Sequence, residues 1–294
     1  MHRATALGLI AGGVGVLTGC TGVACMPVPL VQGLASKPTA FGITIYSQDS
    51  IERATSLAVG CGARVLRVGF TGDLDYTDAI FAAAAAAGLR LILISPYADQ
   101  PVNAASYAAT CVSVQQRYAK YNPIWELWNE PNLENYWGAP PDVNAYTALA
   151  IPTAKALRAA GATDVWSGGT SGIQLAWTKT MVALGAFDVM TGCAVHTYYD
   201  ACVNLDAYWQ LAPMLPAGIE IHTTETCIPS TQDQPDFLRQ QWYVHRAVGI
   251  PTMVWCELRD GTAGTSGQYT LPYGLVDVNY TPKPAYYVAQ SLTS

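Results

Sequence analysis

The sequence has little charge and few basic residues. Charged residues make up 12% of the chain, and its 15 Lys and Arg residues form no cluster. Together with the net charge of −6, this composition argues against a nucleic-acid partner, because phosphate backbones are bound through basic patches. The uncharged run 4–17 is also too short to cross a bilayer comfortably.

Metal ligands are scarce as well. The chain contains four His residues and no Cys-x-x-Cys pair. A metal-dependent barrel hydrolase would need a His-x-His motif and further His or Asp residues at strand ends, and His196 and His222 lack such partners. We therefore expect neither a metal ion nor another cofactor.

Apolar and aromatic residues are abundant. Hydrophobic residues reach 51%, which excludes a disordered chain and favours one large core. At 294 residues the chain is long enough for a single α/β barrel, which takes roughly 250 residues. The 17 Tyr and eight Trp residues favour a carbohydrate ligand, because an aromatic ring matches the C–H face and hydroxyl edge of a sugar.

The first 20 residues have the pattern of an export signal. His2 and Arg3 precede the uncharged run, which ends in the sequence LTGC at 17–20 and resembles a bacterial lipobox. We predict lipidation at Cys20 and attachment to a membrane surface through that lipid. The alternative is that an ordinary signal peptide is cleaved and the protein is fully secreted. Residues 21–40 are interpreted as a linker, because they are rich in Pro, Gly and small polar residues.

From residue 41 onward, short apolar runs alternate with longer amphipathic ones. Eight runs have the length and composition of strands: 41–46, 64–70, 90–95, 123–129, 164–168, 192–197, 219–224 and 251–256. Helical periodicity is clearest at 75–87, 103–121, 142–160, 231–248 and 283–292. This alternation predicts an α/β fold, a closed (β/α)8 TIM barrel that forms a single catalytic domain over 41–294. We expect the protein to be a monomer.

The eight Cys residues suit an oxidising compartment. With Cys20 set aside an odd number remains, so at least one thiol stays unpaired within the chain. Cys202 and Cys227 follow neighbouring predicted strands at the same end of the barrel, and we expect them to form a disulfide. Cys193 and Cys256 fall within predicted strands, where buried free thiols are common.

Two acidic residues are predicted at strand ends, where the ligand sites of such barrels lie. Strand alternation places Glu126, Trp128 and Glu130 on one face of the fourth strand, and Pro131 stops the strand directly after the acid. A carboxylate in this position, beside a side-chain amide and aromatic rings, suits acid-catalysed cleavage of a sugar acetal. A buried strand that ends in a solvated acid is the alternative.

The seventh strand provides the second acid. Alternation places Thr223 and Glu225 on its barrel-facing side and turns Glu220 and His222 away. Strands four and seven lie on roughly opposite sides of an eight-stranded ring, so Glu130 and Glu225 would flank a ligand across its mouth. This arrangement predicts the paired-carboxylate chemistry of glycoside cleavage.

These strand-end motifs resemble those of clan A glycoside hydrolases, and within that clan they are most similar to family 39. The resemblance is carried by WNEP at 128–131, HTY at 196–198, TTE at 223–225, Trp255, the segments 125–132 and 136–140, SGG at 167–169, and the segments 274–277 and 281–286. It covers about residues 41 to 294. It implies a TIM barrel that hydrolyses β-linked oligo- or polysaccharides with retention of anomeric configuration.

The resemblance also implies roles for the two acids. Glu130 would be the general acid and then the general base, and Glu225 would be the nucleophile that forms a covalent glycosyl-enzyme. Arg67 and Tyr198 would keep Glu225 ionised. As an alternative, Arg67 pairs with Glu126 inside the barrel in a purely structural role.

Further site residues are expected around these acids. Asn129 would donate to the sugar 2-hydroxyl, or else cap a turn. His196 would orient Glu130 or a sugar hydroxyl, or else be a satisfied core group. Trp255 resembles the sugar-stacking platform of the clan, with simple core packing as the alternative. Other candidates for lining subsites are Trp128, Trp137 and Tyr97.

One alternative function keeps the same fold. A catalytically silent, carbohydrate-binding surface lipoprotein would need the aromatic residues but neither Glu130 nor Glu225. By analogy, a barrel without an accessory β-domain fits an endo-acting enzyme better than an exo-acting one.

Overall fold

Eight parallel strands close into a barrel in sequence order, with β8 paired to β1. The computed structural model describes residues 39–96, 102–198, 201–261 and 271–294. The strands are β1 Ala40–Thr44, β2 Val65–Gly69, β3 Arg90–Ile94, β4 Ile124–Asn129, β5 Asp164–Ser171, β6 Gly192–His196, β7 Glu220–Thr226 and β8 Thr252–Trp255. The predicted (β/α)8 barrel and all eight of its strands are confirmed.

Helices follow the strands along the described chain. They are α1 Ile51–Gly60, α2 Leu74–Ala86, α3 Ala104–Tyr118, α4 Glu134–Trp137, α5 Val143–Ala159, α6 Leu175–Ala183, α7 Ala201–Leu211, α8 Gln234–Val248 and α9 Pro284–Thr293. Side-chain oxygens of Asp73, Asn103 and Asp142 accept backbone N–H bonds at the starts of α2, α3 and α5, which explains why the sequence places those starts well. Helices α1, α4, α6 and α7 are not among the stretches where helical periodicity was predicted to be clearest.

The barrel interior is apolar at its base and charged above it. Six buried residues from alternate positions fill the base: Val65, Ile92, Ile124, Trp166, Ala194 and Val254. Directly above them lie the buried charges of Arg67 and Glu126. A larger apolar cluster packs the outer faces of the strands against the helices. The apolar base therefore forms a rigid floor beneath a polar upper layer.

The fourth strand does not keep its alternation to the end. Trp128 has a φ of 83° and Glu130 a φ of 43°, both in the left-handed region. The turn at Trp128 removes its ring from the barrel-facing row that Glu126 occupies. The prediction that these two side chains share a face is therefore wrong, because it assumed a regular strand. The irregular backbone brings both Asn129 and Glu130 to the barrel mouth.

The seventh strand is irregular too. Its register shifts against both neighbours near Thr224 and Glu225. His222 stacks on the interior Trp166 ring at 3.6 Å, and the Thr224 hydroxyl donates to Glu126 at 2.9 Å. The predicted orientation of this strand is therefore wrong, since His222 faces inward. Glu225 reaches the mouth because the irregularity reverses the alternation just before it.

Cys227 is a free thiol, and the side chain of Cys202, its predicted disulfide partner, lies outside the described residues. The contact partner of Cys227 is Cys256, which directly follows the end of β8. Cys193 is a buried free thiol as predicted.

The N-terminal predictions fall on residues 1–38, outside the described part of the chain; they comprise the signal, lipidation at Cys20 and most of the linker. Tyr97 also lies outside the described residues. Within the described ranges, no helix is both long and apolar enough to cross a membrane.

Candidate active site

A cleft of about 500 Å³ opens at the C-terminal ends of the strands. The predicted residues Arg67, Asn129, Glu130, Tyr198 and Glu225 all line it. They come from four strands or the loops directly after them, which places the cleft where barrels of this kind bind their ligands.

The two predicted acids converge in this cleft. One carboxylate oxygen of each acid and one ring nitrogen of His196 form a group of three atoms. These atoms all lie within 4.8 Å of one another. Glu130 is 6% exposed and Glu225 8% exposed. Retaining glycoside cleavage needs carboxyl groups about 5 to 5.5 Å apart, whereas inversion needs about 6.5 to 9.5 Å to admit a water molecule. The shorter spacing brings carboxylate oxygens of the two acids as near to each other as the limit of 4.8 Å observed here.

Arg67 lies beneath the cleft and contacts two acidic side chains and one amide side chain. It is fully buried and donates through Nε to Glu126 at 2.6 Å and through Nη2 to Asn129 Oδ1 at 2.9 Å. Its Nη1 donates to Glu225 Oε1. One guanidinium therefore makes both contacts that the sequence analysis considered, the ion pair with Glu126 inside the barrel and the contact with Glu225 at the cleft. Since its amide oxygen faces Arg67, Asn129 has its N–H2 group available to donate toward the cleft.

Glu126 is the structural anchor of the network. It accepts from Arg67, from the Thr224 hydroxyl and from the backbone N–H of Gly169 at 3.1 Å. Burial would raise the pKa of this carboxyl, but the charge of Arg67 and the contact with His196 lower it to about 2. Glu126 is therefore ionised at neutral pH and has its acceptor positions filled.

His196 bridges the acids. Its Nδ1 lies 2.8 Å from Glu130 Oε1 and 3.6 Å from Glu225 Oε2, and its Nε2 lies 3.6 Å from Glu126 Oε1. Burial would lower the pKa of His196, but the surrounding carboxylates raise it to about 9. The ring is therefore protonated at neutral pH and donates from Nδ1 to Glu130.

Gly169 makes room for this arrangement. A Cβ at position 169 would overlap the His196 ring and lie 2.7 Å from Glu126 Oε1. Only glycine allows β5 to approach the network so closely, which gives a physical reason for the glycine pair at 168–169.

Glu225 is held in its ionised form. The Tyr198 hydroxyl donates to its Oε2, while Arg67 donates to its Oε1. Burial would raise the pKa of Glu225, but the charges of His196 and Arg67 lower it overall. The carboxylate therefore carries the negative charge that a nucleophile needs.

Glu130, His196 and Glu225 are also the one group of three or more His, Cys, Asp or Glu side chains, among the described residues, that has the spacing of metal ligands. The arrangement does not favour a metal ion, because a protonated imidazole offers no lone pair and Arg67 already balances Glu225. The cluster is better suited to proton transfer than to coordination.

The three Trp candidates do not line the cleft. The Trp255 ring packs on Phe237 of α8 with centroids 6.1 Å apart, and its Nε1 donates to Tyr273 O at 2.9 Å. Trp128 and Trp137 pack on each other at 5.0 Å. The predicted sugar-stacking roles of these rings are therefore wrong, and for Trp255 the alternative of core packing is correct.

Tyrosines line the cleft in their place. Besides Tyr198 they are Tyr46, Tyr76, Tyr136 and Tyr273. The Tyr76 hydroxyl and Thr44 Oγ1 are buried cleft-wall groups without a hydrogen-bond partner in the described structure. Buried polar groups are normally satisfied, so these two favour a polar ligand in the cleft. Sequence reasoning missed them, because neither the last residue of β1, Thr44, nor the first turn of α2, which contains Tyr76, carries a recognisable motif.

Removing Arg67 should cost far more stability than removing an exposed arginine. Arg67→Met leaves Glu126 and Glu225 buried without their counter-ion, so we expect the free energy of unfolding to fall by about 3 to 5 kcal/mol. The matched control is Arg90→Met, which breaks a 2.7 Å pair with Asp164 on the surface and should cost less than about 1 kcal/mol. Urea unfolding at pH 7 measures both, and equal losses would contradict the assignment.

A third cleft acid, Glu257, was missed by the sequence analysis. It is 3% exposed and lines the cleft next to Cys256. Burial and repulsion from Asp49 and Asp260 raise its pKa from 4.5 to about 8, against the opposing charge of Arg259. Because the folded protein holds this proton more tightly, the associated stability is full below about pH 4.5 and is lost as the pH rises through about 8.

Replacing Glu257 by Gln should therefore stabilise the protein in a pH-dependent way. We expect a gain of roughly 2 to 4 kcal/mol in the free energy of unfolding at pH 8.5 and a change below about 1 kcal/mol at pH 5. Urea unfolding at both pH values measures it. Glu52→Gln, at an exposed position of α1, is the control and should change stability by less than about 0.5 kcal/mol at either pH. A gain independent of pH would contradict the explanation.

Comparison with solved structures places this barrel beside glycoside hydrolases. The GH39 enzyme from Xanthomonas axonopodis pv. citri matches with a TM-score of 0.70 and 17% identity over 88% of this chain and 67% of that one. A monomeric beta-xylosidase from Caulobacter crescentus gives 0.71 and 16% over 87% and 68%. A GH30 endoxylanase from Clostridium papyrosolvens gives 0.67 and 15% over 87% and 72%.

These matches establish the fold. At the level of sequence, no family model and no curated protein matches the chain. The expected resemblance to family 39 is thus confirmed in the backbone architecture. The chain spans 64 to 72% of the length of the matched family 39 and family 30 proteins.

Proposed function

We propose that the protein is a retaining glycoside hydrolase that cleaves β-linked oligo- or polysaccharides. Glu130 acts as general acid and then general base, and Glu225 acts as nucleophile. The observation that carries the proposal is the approach of the two carboxylates, whose nearest oxygens lie within 4.8 Å in a cleft rimmed by tyrosines.

The surroundings suit the first step. Arg67 and Tyr198 hold both oxygens of Glu225 and fix the carboxylate below the anomeric carbon of a bound sugar. Glu225 attacks that carbon while the bond to the departing oxygen breaks. His196 occupies Oε1 of Glu130 with its Nδ1–H, so the transferred proton is carried by Oε2. That proton goes to the departing oxygen and leaves Glu130 as a carboxylate.

The second step reverses these roles. A water molecule attacks the anomeric carbon of the glycosyl-enzyme, Glu130 accepts the proton of that water, and the bond to Glu225 breaks. The two inversions give net retention. The Asn129 amide N–H, free of the Arg67 contact, is directed to the sugar 2-hydroxyl, where a hydrogen bond strengthens in the transition state.

The test is digestion of a panel of β-linked glycans and aryl β-glycosides, with the anomer of the first product followed by NMR. We expect the β-anomer to form first and to mutarotate afterwards. Appearance of the α-anomer first would reject the retaining mechanism. Binding of oligosaccharide without any turnover across the panel would favour the carbohydrate-binding alternative.

We also propose that the protein is exported and carries a lipid on Cys20. The motif at 17–20 supports this, and neither the fold nor the cleft depends on it. Expression with a labelled fatty acid should give a labelled, membrane-associated protein. Cys20→Ala should abolish the label. Release of unlabelled wild-type protein into the medium would support the secretion alternative.

A further inference from the structure

Two free thiols lie side by side on one wall of the cleft. Cys227 and Cys256 follow the register pair formed by Thr226 of β7 and Trp255 of β8, and the Cys256 N–H donates to Thr226 O at 3.1 Å. The two side chains are hydrogen-bonded to each other, and both line the cleft. Neighbouring strands therefore present a pair of sulfur atoms to the ligand space.

This pair differs from the other described thiols. Cys61, Cys111 and Cys193 are each buried, do not line the cleft, and have no cysteine as a neighbouring partner among the described residues. Cys256 is only half-buried and contacts the Tyr46 hydroxyl at 3.6 Å. A small solute that enters the cleft therefore meets Cys256 first, with the more deeply buried Cys227 directly beside it on the cleft wall.

We propose that Cys227 and Cys256 form a binding site for a soft monovalent metal ion of the Cu(I) type. Paired thiolates select soft ions of this kind. Among the described residues, neither thiol belongs to a group of three or more His, Cys, Asp or Glu side chains at metal-ligand spacing. Two sulfur ligands suit an ion that accepts two-coordinate geometry, whereas a structural zinc ion takes four.

Ion binding is coupled to proton release. The metal ligand is the thiolate in each case, so binding of one ion replaces both S–H protons with two metal–sulfur bonds. The site releases two protons per ion and binds more tightly as the pH rises.

An ion at this site lies on the cleft wall close to Glu225. Both thiols and the nucleophile carboxylate interact electrostatically, and all three line the same cleft. The bound ion would occupy space that a sugar needs. This consequence rests on the proposed glycosidase function, whereas the binding site itself does not.

The test is competition between the reduced full-length protein and a chromophoric Cu(I) chelator under anaerobic conditions. We expect the wild-type chain to withdraw one Cu(I) that Cys256→Ser and Cys227→Ser each bind roughly 100-fold more weakly, because each variant loses one of two linked ligands. Cys61→Ser and Cys111→Ser are the matched controls and should retain wild-type affinity. Circular dichroism verifies the fold of each variant.

Either of two results would contradict the proposed Cu(I) site. One is unchanged Cu(I) affinity in both Cys256→Ser and Cys227→Ser, and the other is thiol titration and peptide mapping that find these two cysteines already joined as a disulfide. Release of about two protons per ion in weakly buffered solution at pH 7 would support it, as would loss of aryl β-glycoside hydrolysis in step with bound Cu(I). The affinity measurement needs no substrate, so it is decisive even if the proposed hydrolysis fails.

Discussion

Replacing Glu225 by Ala should lower kcat for aryl β-glycosides by at least about 1,000-fold, and azide should restore turnover with formation of an α-glycosyl azide. The carboxylate is the attacking group in the proposed first step, so its loss removes the covalent pathway. Azide can occupy the vacated space above Arg67 and attack the anomeric carbon from the same face. A single displacement inverts the configuration, and NMR of the product reads this directly.

The control for this substitution is Glu220→Gln. Glu220 begins the same strand but lies half-buried at the opposite end of the barrel, so activity should stay within about twofold of wild type. Glu225→Ala also removes one partner of Arg67, and its fold must be verified by circular dichroism. A folded Glu225→Ala variant with wild-type turnover would reject the nucleophile assignment, and a β-glycosyl azide would assign the residue to the other acid's role.

The sequence predicts the barrel well because the periodicity of buried strands is a local property. Each of the eight strands is a short apolar run, and parallel pairing then follows from the helices between them. Helix starts with a capping Asp or Asn were also placed within a residue or two, as at Asp73 and Asn103. Short helices such as α6 were not among the clearest stretches, since nine residues carry too few turns of periodicity.

The site was predicted less completely because its geometry depends on irregular backbone. Glu225 was identified through an alternation that the structure does not follow, and it reaches the cleft only because the register shifts beside it. Trp128 was placed in the cleft by the same assumption, yet its positive φ turns the ring away. Strand irregularities arise from contacts with neighbouring strands, which a period-2 pattern cannot reveal.

The cleft walls were the least predictable part. Trp255 was chosen as the platform because it resembles the sugar-stacking residue of the clan, but its ring packs on Phe237 and the next residue, Cys256, faces the cleft instead. One position along a strand end decides which side chain is exposed. Glu257 was missed for a related reason, because an acid that follows a strand by two residues carries no motif. Its raised pKa depends on burial beside Asp49 and Asp260, which the sequence does not reveal.

Replacing Glu130 by Ala should separate the two chemical steps. We expect kcat for substrates with a poor leaving group to fall by roughly 100- to 10,000-fold, because the departing oxygen no longer receives a proton. A dinitrophenyl β-glycoside needs no such help, so its first step should remain fast. Without a general base the second step slows, and a burst of dinitrophenolate should precede slow turnover. Stopped-flow absorbance measures the burst, and intact-protein mass spectrometry detects the glycosyl-enzyme.

Azide distinguishes this acid from Glu225 by stereochemistry. In Glu130→Ala the nucleophile still forms the covalent intermediate, so azide replaces water in the second step and the product is the β-glycosyl azide, opposite to that of Glu225→Ala. Glu134→Gln, four residues along at an exposed position of α4, is the control and should behave as wild type. If both alanine variants gave the same azide anomer, the two carboxylates would not have the separate roles proposed, and their approach within 4.8 Å would require another chemical explanation.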